Sequence, residues 1–288
     1  KFMKKIKFLD MLKLRASYGE IGNDVIGDEW DTTFRWLYMD QWETGGNIAT
    51  GLYNVASPYT FYRQKTVGNT DIHWEVVRKF NFGIDYSFLD GLFAGSIEIF
   101  RDKRSDILIY GPDRAMPSYF GGIVNAPWVN MGKVKNRGYE LELRINKTLR
   151  NSLHLWANMN MTHAVNEVIE ADDPELLPDY LKDAGKSIQQ THTYVDHGYT
   201  QTMDDIYGST AFESNDNQKL PGTYYILDYN GDGVINSYDK IPYGYSSSPQ
   251  NTYSASLGFD YKGWSFFVQF YGCLLYTSPS PRDGATSR

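Results

Sequence analysis

The chain has 288 residues, with 28 Lys and Arg against 35 Asp and Glu, a formal net charge of −7. That balance excludes a nucleic-acid partner, because phosphate recognition needs a basic face, and no apolar run approaches the ~20 residues of a membrane helix. An aromatic share of 16%, with 23 Tyr, 7 Trp and 26 Gly, favours strands and turns and so an all-β chain.

The first period-two stretch places Leu12, Leu14, Ala16 and Tyr18 on one face and Lys13, Arg15 and Ser17 on the other. Phe80, Phe82, Ile84, Tyr86 and Phe88 then alternate with Asn81, Gly83, Asp85 and Ser87. A less regular strand follows over 92–102. Tyr139, Leu141, Leu143 and Ile145 alternate with Glu140, Glu142 and Arg144. Leu153, Leu155, Ala157, Met159 and Met161 alternate with His154, Trp156, Asn158, Asn160 and Thr162. Tyr253, Ala255, Leu257, Phe259 and Tyr261 alternate with Ser254, Ser256, Gly258 and Asp260, and a seventh strand spans 264–272. Short turns at 89–91, 146–152 and 262–263 join pairs of these strands, whereas long connections cover 20–78, 103–136 and 163–250.

Compact soluble domains rarely hold several connections beyond ~15 residues. A transmembrane β-barrel does, with tilted strands of ~9–11 residues, short turns at one rim and long loops at the other. A soluble sandwich with one wet face produces the same alternation, and the repeated turn and loop asymmetry decides for the barrel. Apolar faces then meet membrane lipid, aromatics at strand ends form girdles, and Lys13, Arg15, Glu140, Glu142 and Arg144 line a wet lumen. Residues 273–288 resemble a translated sequencing-library adaptor and are set aside as a non-native tail, leaving 1–272 as the domain. The single Cys, Cys273, falls in that tail, so disulfides and thiol catalysis drop out.

The sharpest site motif is Asp228, Asn230, Asp232, Val234, Asn236 and Asp239, which match positions 1, 3, 5, 7, 9 and 12 of a calcium loop, with Gly233 at position 6. Hard Ca²⁺ wants these oxygens: three carboxylates, one amide, and the Val234 carbonyl, with Asn236 direct or through water. Asp at position 12 is the shorter, dockerin-like form, and an Asx-rich turn without metal is the competing reading. His192 and His197 lack partners at zinc spacing and read as surface polar residues. Glu140 and Glu142 share a strand face and read as lumen charge, not as a glycosidase pair. Trp30, Trp36, Trp42, Trp74 and Trp128 in the loops suit packing or stacking on sugar rings. No nucleophile, phosphate-loop or zinc-protease motif is present, so no enzyme is expected.

Three segments resemble the barrel signatures of SusC/RagA-type TonB-linked outer-membrane proteins: Leu12–Gly19 with Ile21, Gly22 and Asn23; Asn69–Glu75 leading into Phe80; and Met131–Leu141. The 228–239 loop followed by 253–272 matches the order near that family's C-terminus. The resemblance implies the C-terminal part of a large plugged barrel of about 22 strands, without the plug and TonB box, and too few strands to close or transport alone. It also implies import of oligosaccharides or peptides with a SusD-like surface lipoprotein as lid and TonB supplying energy. A receptor for a siderophore or vitamin, and a soluble secreted β-protein with a dockerin-like calcium loop, are the alternatives.

Overall fold

The computed structural model describes residues 8–24, 36–47, 59–109, 126–214, 216–246 and 248–274. Along the chain run β1 (Leu9–Asn23), β2 (Gln41–Asn47), β3 (Thr60–Thr66), β4 (Glu75–Phe88), β5 (Phe93–Ile109), β6 (Val129–Thr148) and β7 (His154–Glu170). The short elements β8 (Gln190–Thr193), β9 (Asp196–Tyr199), α1 (Met203–Tyr207), β10 (Ala211–Phe212), β11 (Tyr224–Ile226), β12 (Val234–Ile235) and β13 (Ile241–Ser246) follow, then β14 (Asn251–Tyr261) and β15 (Trp264–Leu274).

Seven of these strands form one open antiparallel sheet in the order β1-β4-β5-β6-β7-β14-β15. They are the seven that the alternation marks out. The register makes each face a set of continuous rows. Leu14, Ile84, Ile97, Leu141, Met161 and Tyr253 lie side by side across six strands. One residue away on the opposite face, Lys13, Asp85, Ser96, Glu142, Asn160 and Ser254 do the same. A slip of one residue at any pairing would exchange these sets, so the chemical contrast pins the register.

Among the described residues no second layer covers the apolar rows. Ile97, Ile99, Leu141 and Leu257 are 39%, 54%, 38% and 41% exposed, and the only buried apolar side chains among the described residues are Leu37, Val77, Ala157 and Ile235. A soluble sandwich would bury such a face against a partner sheet. This sheet leaves it for lipid, as a barrel wall does. The sheet does not close on itself: β1 and β15 stand at its edges.

The turns gather at one rim. Lys262 and Gly263 both have positive φ, 46° and 87°, the two-residue type I′ hairpin that matches strand twist. Leu89, Asp90 and Gly91 take the same left-handed region between β4 and β5. Leu149 and Leu153 close the β6–β7 turn through a 2.8 Å backbone bond. At the other rim the strands run further than the expected boundaries, β6 to 20 residues and β5 to 17. There both faces carry charge, so the alternation that reveals a half-lipid strand fades while the ladder continues. Strand β15 likewise extends through Cys273 and Leu274, two residues past the boundary expected at 272; residues 275–288 lie outside the described set.

The 171–250 connection is folded, not irregular. Within it β8 pairs with β13, β9 with β11, and β10 with β12 in parallel. Its small core holds Ile235 and Asp239, 2% and 1% exposed.

Candidate solute-facing site and loop crown

The polar face of the sheet carries an ion-paired cluster toward the short-turn rim. Arg15 donates to both carboxylate oxygens of Asp85, from Nε at 3.0 Å and from Nη2 at 2.8 Å, a fork geometry specific to guanidinium. Its Nη2 also reaches Glu98, two strands away. The row Arg15, Gly83, Glu98 explains that reach: a Cβ at Gly83 would stand 3.1 Å from the Arg15 guanidinium. Asn81 donates to Glu98 at 3.1 Å, and Arg144 pairs with Glu142. Lys13, Arg15, Asp85, Glu98, Glu142 and Arg144 border an open cleft of about 410 Å³. The expected lumen positions Lys13, Arg15, Glu142 and Arg144 therefore converge, with Glu140 beside Glu98 in register.

A larger cavity of about 630 Å³ lies at the loop rim. Its floor is Lys79, Asp102, Arg104 and Asn136, and its cover is Ser187, Ile188 and Ser246. The cover is stitched to β7. Ile188 N–H donates to the Asn166 amide oxygen at 2.7 Å, Ser246 Oγ donates to the Ile188 carbonyl at 2.7 Å, and Ala164 N–H to the Gln250 carbonyl at 2.9 Å. Charged groups, amides and hydroxyls are set there among the apolar Val77, Ile107, Val134 and Pro249, a mixed lining that suits a solute with both apolar and hydrogen-bonding groups.

The segment around Asn69–Glu75 fastens the loop rim. Asn130 Nδ2 donates to the carbonyls of His73 and Asp106, both at 2.8 Å, and its Oδ1 accepts from His73 N–H at 3.1 Å. Asn69 Nδ2 donates to the Trp128 carbonyl at 2.7 Å. Periodicity did not reveal this amide staple, since no alternation exists around Asn130. Trp36, Trp42 and Trp74 are 52%, 63% and 65% exposed, and Tyr59 and Tyr62 add to the same kind of surface; Trp30 falls outside the described residues. Trp74 packs against Gly22. His197 is exposed as expected, but His192 is not a plain surface residue: it lies on β8 against Pro242, and its Nε2 is buried without a hydrogen-bond partner.

In the 228–239 loop the six expected ligand positions lie together, and the side chains of five of them accept from backbone N–H groups. Asp228 accepts from Gly231 and Gly233, both at 2.8 Å, and Asp232 accepts from Val234 at 2.8 Å. Asp239 accepts from Tyr229 and Asn236 at 2.8 Å each, Asn230 Oδ1 from Asp232 N–H at 3.0 Å, and Asn236 Oδ1 from Tyr238 N–H at 2.8 Å. The Asn230 amide also donates to the second Asp232 oxygen at 2.9 Å, and one Asp239 oxygen accepts from both Tyr229 and Asn230 N–H. Among the described residues no three His, Cys, Asp or Glu side chains stand close enough to hold a metal as placed. Nearby, Thr202 and Asp205 form a capping box on α1, and the Thr202 and Gln201 backbone N–H groups hold the Asp205 carboxyl below its usual value. Burial raises the Tyr180 phenol, whose hydroxyl donates to the Tyr238 carbonyl at 2.7 Å.

The model of the TonB dependent receptor-like β-barrel matches residues 6–286. The chain belongs to this family. It is a partial outer-membrane barrel of the SusC/RagA type. TonB-dependent receptor P39 of Formosa agariphila is 30% identical over 232 residues, covering 75% of this chain and 20% of that protein. TonB-dependent receptor SusC of Bacteroides thetaiotaomicron is 26% identical over 250 residues, covering 84% of this chain and 23% of that protein. Among solved structures, the RagAB peptide importer in its closed-closed state superposes with a TM-score of 0.65 at 20% identity, over 95% of this chain and 28% of that one. The chain thus spans about a fifth to a quarter of the curated relatives it matches. Membership in this family sets aside the soluble, dockerin-like alternative.

Proposed function

We propose that this chain is wall and loop crown of a TonB-energised importer of oligosaccharides or peptides, working with a SusD-like lipoprotein lid. The observation that carries the reading is the sheet's two-sidedness: uncovered apolar rows behind, and ion-paired and amide groups around two solute-sized spaces in front. The fold shared with the RagAB peptide importer is in keeping with the peptide class, and the resemblance to SusC/RagA-type proteins implies both classes. The exposed Trp36, Trp42, Tyr59 and Tyr62 supply flat apolar faces for sugar rings or for the lid. The plug and TonB contacts belong to the remainder of such a protein.

The test is uptake by cells that carry the intact protein. Arg104→Ala with Asn136→Ala, at the floor of the larger cavity, should reduce growth on the imported glycan or peptide while barrel abundance in the outer membrane stays constant. Undiminished growth would remove that cavity from the solute path. Growth that is also indifferent to loss of TonB would remove the importer reading.

We propose further that the 228–239 loop takes Ca²⁺ as a staple of the crown. Six ligand-type positions at calcium-loop spacing support this, with Gly231 and Gly233 at φ 73° and 86° giving the required tight turn. Calorimetric titration of the detergent-solubilised protein should show Ca²⁺ binding that Asp228→Ala plus Asp232→Ala abolishes. No heat with the unaltered loop would leave a polar turn closed by its own backbone.

A further inference from the structure

On the apolar face, just beyond the rows of Ile97 with Leu141 and Ile99 with Tyr139, the register brings like charges into direct opposition. Arg101 on β5 faces Arg137 on β6, and one step nearer the loops Lys103 faces Lys135. Arg78 on β4 adjoins Lys103. Like charges at directly opposed positions destabilise an antiparallel pair. Two such pairs in succession are a standing repulsion that the sheet retains.

Neighbouring charges relieve it only at Lys135 and Arg78. Lys135 pairs with Glu167 at 2.6 Å and Arg78 with Glu20 at 3.0 Å. Arg101, Lys103 and Arg137 are exposed and have no ion-pair or hydrogen-bond partner among the described residues. On the polar face the comparable opposition, Glu98 with Glu140, has Arg15 on Glu98, as Lys135 has Glu167; Arg101 with Arg137 has no such counter-charge among the described residues. The three free cations thus form a triangle on the outer face, at the rim of the long loops, continuous with uncovered hydrocarbon-facing side chains.

We propose that Arg101, Arg137 and Lys103 clamp the phosphate of an outer-leaflet lipid headgroup. Its acyl chains lie along Ile99, Ile97 and Leu141. Guanidinium groups match phosphate oxygens in paired hydrogen bonds, and one phosphate between Arg101 and Arg137 converts their repulsion into two attractions. The apolar rows directly below select an amphiphile over a free anion or a soluble acidic protein. The inference rests on the outward orientation of this face in the barrel.

The test uses the intact protein in nanodiscs of phosphatidylcholine alone or with 30% phosphatidic acid, comparing wild type with Arg101→Gln, Arg137→Gln and the triple variant that adds Lys103→Gln. In phosphatidylcholine each variant should unfold at a temperature equal to or above wild type, because repulsion is relieved. With phosphatidic acid the order should reverse, and native mass spectrometry should show at least tenfold less retained phosphatidic acid in the triple variant. Lys147→Gln with Lys262→Gln, which removes charge at the other rim, should retain the lipid. If wild type and variants keep the same order in both lipids, the proposal is overturned. Should the triple variant not assemble, the two single variants decide by the same reversal. Equal protection by inorganic phosphate would make the cluster a free-anion site and overturn the lipid assignment. A nitroxide at Leu141 that is inaccessible to lipid-dissolved oxygen would instead refute the barrel orientation, so the two failures are distinguishable.

Discussion

Gly138, midway along β6, is the position where one methyl group should cost most. It lies in the row Asn81, Phe100, Gly138, Ala164 on the polar face. A Cβ there would stand 2.0 Å from the His163 carbonyl oxygen, 2.6 Å from the Phe100 ring and 3.0 Å from the Ala164 Cα. The nearest atom is backbone of the adjoining strand, so no side-chain rotation relieves the contact, and β6 and β7 must part. Overpacking of this kind costs about 1–3 kcal/mol, and weakening one ladder hydrogen bond adds about 1 kcal/mol. Replacing a strand glycine by alanine returns roughly 0.5–1 kcal/mol of backbone entropy. The net for Gly138→Ala is a loss of about 1–3.5 kcal/mol. Gly19 on β1 has nothing within 4 Å of its would-be Cβ, so Gly19→Ala should be neutral or stabilising by up to about 1 kcal/mol. Urea unfolding in lipid, followed by the faster gel migration of folded barrels, should separate the two variants. Equal midpoints for them, or rescue of Gly138→Ala by Phe100→Ala, would refute the backbone-clash argument.

Nitroxides at Leu141, Leu155 and Leu257 of the intact protein should be accessible to oxygen and shielded from a water-soluble nickel reagent, and those at Asn160 and Ser256 the reverse; a common pattern at all five would dissolve the two-faced wall. Asn130→Ala strands the His73 and Asp106 carbonyls and should destabilise the loop rim by about 1–3 kcal/mol, read as faster proteolysis between β3 and β4, with Asn130→Asp no better because it cannot donate. The Asp205 carboxyl has a lowered folded pKa, so its cap on α1 is fully present above the ordinary carboxylate pKa of about 4 and is lost as pH falls through the lower folded value. Hydrogen exchange at the Gln201 and Thr202 amides should speed up in that window, and Asp205→Asn should abolish the pH step.

The seven wall strands were legible because lipid and water impose opposite chemistry on alternate residues. Leu141 and Leu143 against Glu140 and Glu142 can be read in one dimension. What periodicity concealed is held by contacts between residues distant in sequence. Phe100 lies across Gly138, Trp156 across Gly258, and Tyr253 across Gly272; each glycine looks like a weak strand residue until its aromatic neighbour is placed. Strand ends blurred at the loop rim, where Lys79, Asp102, Arg101 and Lys103 are charged on both faces and the ladder alone continues the strand. The crown, with two- to six-residue strands, is shorter than any period can register.

The same contrast explains why the loop rim carries the functional candidates. Deep in the wall, one face must be apolar for lipid, and the other is committed to ion pairs such as Arg15 with Asp85. Above the lipid both faces meet water, so side chains there are free of that division and can serve recognition. The cavity under Ser187 and Ser246 uses the inner face of this zone, and the Arg101–Arg137 pair uses the outer face. On this argument the rim charges divide by parity. Substitutions at Lys79, Asp102 and Arg104 should alter solute uptake with little change in lipid retention, whereas those at Arg101, Lys103 and Arg137 should do the opposite. A mixed outcome along β5 would mean that the strand's alternation has already broken below Arg101.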